Sequence, residues 1–359
     1  MASNLPAHHR ALVLDTIEDG FHVKTIPTPQ PGLGNAIIHI AAAGVISYHR
    51  EVYNGGRGYN FAKPIVGGVS AIGRVAALGP DSTALSPGQL VYVDCVVRSR
   101  DDPDDRFVCA IHEGLTPGSR KLSRDVVPLE NCFVLDEQRL CGGLGHEVAD
   151  LLYLGYLLVP YGGLRDIRLE PGETVVVSPA TGGYGGAGVM TAVSMGARVI
   201  AMGRNEKELA RLKALVLRGS PDANIETVKM TGDEMADAAA LKAFGTIDAV
   251  LDFTPPHASK SPHVKSAIWA LRRGGRVSLM GWNEAIMVPP VVGKDITLKG
   301  RLMYEREDIV QFIKMFERGL FPKGDGFVDT KVFRLEDWKE ALDEAAEHTG
   351  IGKSVVFTL

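Results

Sequence analysis

The rhythm of apolar residues changes near residue 150. Before it, short apolar runs alternate with turn residues. Residues 37–41, 71–79 and 89–93 read as strands, with Pro27, Pro29, Pro31, Gly32 and Gly34 forming a loop ahead of the first. Short strands at this spacing predict a β-rich domain or barrel. From about 151 to 300 the strands become nearly continuous apolar runs, at 174–177, 198–202, 249–253 and 276–280. Helical segments lie between them. In 206–217, Leu209, Leu212, Leu215 and Val216 recur at helical spacing. Buried strands alternating with helices predict an α/β doubly wound parallel sheet, covered on both faces. Beyond 300, helices near 306–319 and 336–347 precede a strand at 354–357.

Composition narrows the function classes. A chain of 359 residues accommodates two domains of about 150 residues each. The formal charge is −4, from 39 basic and 43 acidic residues. No basic excess marks a nucleic-acid partner. The four cysteines, at 95, 109, 132 and 141, include no Cys-x-x-Cys pair. They argue against a disulfide scaffold and for a reducing compartment, here the cytoplasm. Neither a signal peptide nor a membrane span is expected. The charged run at 98–106 reads as a solvated loop.

The glycines cluster in one place. After the strand at 174–177 comes Ser178-Pro179-Ala180-Thr181-Gly182-Gly183-Tyr184-Gly185-Gly186-Ala187-Gly188, then a helix pattern and the strand at 198–202. In the spacing G-x-G-x-x-G, Ala180 takes the first position, Gly182 the second and Gly185 the third. Gly182 lets backbone approach a pyrophosphate, and Gly185 lets the helix pack on the strand. The helix N-terminus, with Thr181, Gly183 and Tyr184 around it, offers N–H groups to phosphate. At the tip of the next strand stand Met202-Gly203-Arg204-Asn205-Glu206-Lys207. No acid occupies the tip, Gly203 leaves room, and Arg204 with Lys207 supplies positive charge. This predicts NADP(H) rather than NAD(H). Thr254, Gly281 and Trp282 follow the third and fourth strands, where the carboxyl edge of the sheet faces the nicotinamide. Trp282 reads equally as a pocket wall or a core residue. Arg301 is a further candidate for a phosphate or ribose contact.

Several landmarks together resemble the medium-chain dehydrogenase/reductase superfamily, over nearly the whole chain. They are Ala43-Gly44-Val45, Ile65-Val66-Gly67-Gly68 through Gly73-Arg74-Val75, and Leu85-Ser86-Pro87-Gly88-Gln89-Leu90-Val91. Leu169-Glu170-Pro171-Gly172-Glu173-Thr174-Val175 and the run Gly274-Gly275-Arg276-Val277-Ser278-Leu279-Met280-Gly281 complete the set. The resemblance implies a GroES-like catalytic domain over 1–150 and 301–359 and a Rossmann domain over 151–300. It also implies a small-molecule substrate in the cleft between them, and dimers or tetramers.

Departures from the family matter for mechanism. Zinc-dependent members carry cysteine where this chain has Ile46, Gly-His-Glu where it has Gly67-Gly68-Val69, and a third ligand in the segment that here reads Tyr153-Leu154-Gly155-Tyr156-Leu157. Ile, Gly and Val offer no zinc ligand. The four-cysteine zinc lobe is also missing. Cys109 and His112, despite their spacing, read as packing or surface residues. A stretch at 121–128 is shortened. The resemblance is therefore to the zinc-lacking branch, in which NADPH gives hydride to an activated alkene and a hydroxyl supplies the proton. Tyr48, two residues beyond the lost cysteine, is the leading donor, with Tyr59 and His49 as alternatives and Tyr53 as a core residue. Three functions stay open: reduction of an α,β-unsaturated carbonyl or quinone, metal-free reduction of a ketone or aldehyde, and non-redox NADP(H) binding.

Overall fold

The computed structural model describes residues 5–102, 104–112, 127–284, 286 and 288–359. The chain divides into two compact units. One comprises Met1–Leu152, Asp329–Thr349 and Ser354–Leu359; the other comprises Tyr153–Val328 and Gly350–Lys353. Among the described residues, no helix is long and apolar enough to cross a membrane.

The first unit is mainly antiparallel β-structure. β1 (His8–Leu14) pairs with β2 (Phe21–Pro27) and β4 (Ile65–Val66). A larger sheet runs in the order β10 (Cys132–Val134), β6 (Leu90–Val93), β5 (Ala71–Leu78), β3 (Asn35–Val45), β18 (Lys353–Thr358), β17 (Asp329–Phe333). β9 (Val127–Pro128) also pairs with β3. The apolar faces of β1, β3 and β18 meet α1 (His49–Tyr53) and α9 (Trp338–Glu347) in a core containing Leu12, Leu14, Phe21, Val45, Val52, Tyr53, Leu342 and Val355. The charged run at 98–106 is the turn between β7 (Val96–Arg98) and β8 (Arg106–Val108), with Ser99 N–H donating to the Asp105 carbonyl at 2.9 Å. Pro103 in that run, and 121–126 in the shortened stretch, lie outside the described residues.

The second unit carries a six-stranded parallel sheet. Its strands are β11 (Thr174–Ser178), β12 (Arg198–Gly203), β13 (Ile225–Lys229), β14 (Ala249–Asp252), β15 (Arg276–Leu279) and β16 (Thr297–Gly300). The order β13-β12-β11-β14-β15-β16 is that of a doubly wound Rossmann sheet, which reverses between β11 and β14. The helices are α2 (Leu154–Asp166), α3 (Gly183–Ser194), α4 (Glu206–Gly219), α5 (Glu234–Lys242), α6 (His263–Ala270), α7 (Val288–Gly293) and α8 (Arg306–Glu317). Every residue of β11 and β14 is buried, as expected for central strands covered on both faces. One face packs Val176, Ile200, Val250 and Val277 against Val264, Ala267 and Ile268 of α6. In α4 only Leu209, Leu212 and Val216 are buried, one stripe along the helix.

Two strands escape the apolar-run pattern. β13 (IETVK) and β16 (TLKG) are the edges of the sheet, half or fully exposed along most of their length, so their sequences are mixed. The chain also returns to the first unit later than the sequence suggests. Residues 301–328 stay in the second unit, because Phe312 of α8 packs on Tyr161 of α2 at 5.2 Å, stacks with Phe316 and meets Phe321 at a tilt. The return begins at Asp329.

Candidate functional site

The glycines between β11 and α3 separate by what surrounds them. A Cβ on Gly185 would collide with the Pro179 carbonyl oxygen and lie 3.0 Å from the Ala180 Cα. Glycine there lets the first turn of α3 sit on the end of β11. Gly186 accommodates the Ile351 backbone, with a Cβ only 2.6 Å from the Ile351 Cα, and Gly188 packs on Leu251 and Phe253. Gly183 lies against Tyr156. Gly182 alone of this set faces open space, since a Cβ there would meet nothing within 4 Å. It is the N-cap of α3 and supplies no side-chain cap. In contrast, Asn205 caps α4 through the Lys207 and Glu208 amides, and Asp233 caps α5. The opening turn of α3 therefore has no side-chain cap and begins at a residue whose missing side chain leaves open space. That is the cradle a pyrophosphate needs.

At the tip of β12, Gly203 is buried and close to Thr181, whose Cγ2 would be 3.0 Å from a Cβ there. The room expected at Gly203 is taken by Thr181, which ties the glycine loop to the strand tip. Beyond it lies a surface groove of about 650 Å³ lined by Arg204, Asn205, Glu206, Lys207 and Lys229. Lys229 pairs with Glu206 at 2.9 Å. Three cations against one carboxylate suit a phosphate on the adenosine ribose. Lys229 is a residue that the sequence reading missed. It ends an edge strand and reaches the groove because β12 and β13 pair with Gly203 opposite Lys229.

At the carboxyl ends of β14 and β15, Thr254, Gly281 and Trp282 come together as the sequence suggests, but with different roles. The Thr254 side chain is buried, and its hydroxyl donates to Asp252 Oδ1. It faces inward and makes no surface for a ligand. Gly281 is required by the Thr254 backbone, with which a Cβ would collide. Trp282 is not a core residue, since it is 67% exposed. Its backbone N–H donates to the Thr254 carbonyl at 2.7 Å. Tyr184 stacks on Phe253 at 6.2 Å and meets Tyr156 at 5.0 Å, an aromatic run beside the glycine loop.

Arg301 requires a correction. Its guanidinium is engaged by Asp166 at 3.5 Å, Glu305 at 3.4 Å and Asp308 at 3.3 Å. Arg165 and Lys299 join the same carboxylates. The network ties the start of α8 to the end of α2, which leaves Arg301 a structural residue and not a phosphate ligand.

In the first unit, Arg57 brings the two candidate tyrosines into one cluster. Its guanidinium carbon lies 4.2 Å from the Tyr48 ring centroid, it pairs with Glu51 at 3.0 Å, and it hydrogen-bonds Tyr59. Tyr48 is half-buried at the start of α1, whereas Tyr59 is exposed and packs edge-on against His112. Tyr53 is a core residue whose hydroxyl donates to the Ala110 carbonyl at 2.8 Å. His49 is buried, and burial pushes it down to about 3. The Ile46 N–H donates to His49 Nδ1 at 3.3 Å, which places the ring proton on Nε2. His49 is therefore neutral and unsuited to act as a cationic acid, because its charged form would be desolvated.

The positions at which zinc-dependent members carry ligands hold no donor side chains in this chain. Ile46 is buried, Gly68 has φ +123° in a region that side chains rarely adopt, and neither Val69 nor Gly155 carries a ligand atom. A histidine at 68 would strain the backbone. Among the described residues, no group of three or more His, Cys, Asp or Glu side chains converges as a metal site. Cys109 and His112 remain a pair, and burial pushes the thiol up and the imidazole down.

Comparison with known proteins agrees with this architecture. Residues 32–119 match the family model described as the alcohol dehydrogenase GroES-like domain, and residues 183–318 match the one described as zinc-binding dehydrogenase. Alcohol dehydrogenase 1 of Caenorhabditis elegans is 24% identical, covering 94% of this chain and 93% of its own. The solved alcohol dehydrogenase of Thermus sp. ATN1 superposes with a TM-score of 0.76 at 20% identity, covering 98% of this chain and 99% of that one. A cobalt- and zinc-bound thermostable alcohol dehydrogenase from Pyrobaculum aerophilum gives 0.73 at 22% identity, covering 98% and 100%. With its GroES-like and Rossmann domains, the chain belongs to the medium-chain dehydrogenase/reductase superfamily and is an alcohol-dehydrogenase-like oxidoreductase.

Proposed function

We propose that this protein is a zinc-independent, NADP(H)-dependent reductase of an α,β-unsaturated carbonyl or quinone-like small molecule, working in the cytoplasm. The observation that carries the cofactor reading is the pairing of an open Gly182 at the uncapped start of α3 with the cationic groove of Arg204, Lys207 and Lys229. Zinc independence rests on the chemistry at Ile46, Gly68, Val69 and Gly155, which supply neither thiolate, imidazole nor carboxylate.

When bound, NADPH supplies a hydride to the β-carbon of the substrate. The chain's own residues do the rest. The α3 amides hold the pyrophosphate, and the groove cations hold the ribose phosphate. Tyr48 is the proposed donor to the substrate oxygen, where negative charge develops during the transfer. Arg57 lies over the Tyr48 ring and holds it in place at the start of α1. Tyr59, joined to the same guanidinium, is the second donor candidate.

The names of the relatives favour a second reading, reduction of a ketone or aldehyde by the same cofactor without metal. Oxidation of NADPH against enones, quinones, aldehydes and ketones, with identification of each product, separates the two. A saturated carbonyl product supports alkene reduction, and an alcohol product supports the second reading. No turnover with any acceptor, together with tight NADPH binding, points to a non-redox protein.

A further inference from the structure

At the carboxyl edge of the sheet, a chain of hydrogen bonds runs through the protein interior. Ser261 Oγ lies 2.8 Å from His263 Nδ1, and His263 Nε2 lies 2.9 Å from Thr254 Oγ1. The Thr254 hydroxyl donates to Asp252 Oδ1, which also accepts the Thr254 N–H at 3.0 Å. With that hydroxyl proton committed to Asp252, Nε2 donates to Thr254, and the same nitrogen lies 3.5 Å from Asp252 Oδ1. Asp252, Thr254 and His263 are each no more than 2% exposed. The set joins the end of β14, the loop after it and the first residue of α6.

The same loop is fastened to the one after β15. Met280 N–H donates to the Asp252 carbonyl at 3.1 Å, Trp282 N–H to Thr254 at 2.7 Å and Glu284 N–H to Ser259 at 3.1 Å. The Ser259 hydroxyl donates to Glu284 Oε1 at 2.8 Å. Phe253 N–H donates to the Ser178 carbonyl at 3.0 Å, and the Phe253 ring stacks on Tyr184. The two loops thus form one surface beside the glycine loop, where ligands of open parallel sheets bind. The side chains of Asp252, Thr254 and His263 are buried beneath it.

We propose that His263 and Asp252 are positioning residues. They lock Thr254, and through it the 281–284 segment, into a floor for the nicotinamide half of the cofactor. The proposal rests on the dinucleotide reading above. It places the effect on one half of the ligand, because Arg204 and Lys207 follow β12 and Lys229 ends β13, on the other side of β11 from β14 and β15.

Calorimetric titration with a whole cofactor and with its adenosine half tests this, using NADP⁺ against 2′,5′-ADP and, in parallel, NAD⁺ against ADP. In His263→Leu, affinity for the whole dinucleotide falls about 10-fold while the adenosine half binds within about 2-fold of wild type. Turnover falls further, by about 100-fold, because a small displacement of the reacting ring is costly. His263→Gln, which keeps a donor near Nε2, restores most of both. If His263→Leu does not fold, Thr254→Val breaks the same link with little change of volume, and Thr254→Ser restores it. Equal losses for cofactor and fragment, or no loss of either, overturn the proposal. If wild-type protein binds neither adenosine fragment, the cofactor reading fails and the proposal with it.

Discussion

Lys229 stands directly opposite Gly203 in the parallel pair of β12 and β13. This register carries the Lys229 side chain to the groove that Arg204 and Lys207 line. Arg204→Ala is expected to weaken NADPH binding by about 10- to 100-fold, the value of a charge-assisted hydrogen bond. NADH binding should change little. Lys229→Ala is expected to act in the same direction and more weakly, since Lys229 shares its charge with Glu206. Fluorescence titration with both cofactors checks this. Parallel losses for NADH and NADPH would give Arg204 a structural role.

Gly182 and Gly185 should respond oppositely to alanine. Gly185→Ala places a Cβ on the Pro179 carbonyl and is expected to destabilise the fold by about 1–3 kcal/mol. Gly182→Ala meets no protein atom, so the melting temperature should hold while dinucleotide affinity falls. Thermal melts with and without cofactor distinguish the two.

Tyr48→Phe removes the hydroxyl and keeps the ring beneath Arg57. Turnover is expected to fall on the order of 100-fold with NADPH affinity and melting temperature close to wild type. A normal rate for Tyr48→Phe alongside a collapsed rate for Tyr59→Phe would move the donor role to Tyr59.

His49 gives a pH dependence of stability with a definite sign. Its folded-state value is lowered to about 3 from the ordinary 6.5, so the unfolded chain takes up a proton that the folded one refuses. Its contribution is complete above pH 6.5 and is lost as the pH falls towards 3. Within that window stability declines by about 1.4 kcal/mol per pH unit from this group. Urea unfolding at pH 6.5 and 5 should show a flatter slope for His49→Gln than for wild type.

Protein purified and washed with chelator is expected to keep its activity and to contain no stoichiometric zinc. Elemental analysis with an activity assay before and after chelation tests this. One tightly held zinc per chain would require ligands other than those at 46, 68, 69 and 155.

Much of the architecture is legible in the sequence because it depends on local pattern. Unbroken apolar runs such as 174–177 and 249–253 mark strands buried on both faces, and the glycine loop between β11 and α3 is recognisable from the residues on either side of it. The lack of donor atoms at 46, 68, 69 and 155 is equally plain, since a side chain without a donor atom has none in any fold. The tertiary structure alone decided what depends on distant partners. Arg301 looked available for a phosphate until α2 and α8 surrounded it with carboxylates. Thr254 looked like a ligand contact until Asp252 and His263 claimed its hydroxyl. Lys229 entered the cationic groove only through strand register. Hydrophobic periodicity reports which face of an element is buried. It carries no information about which polar group from another element will meet it there, and those meetings decide whether a charge or hydroxyl is spent on the fold or left for a ligand.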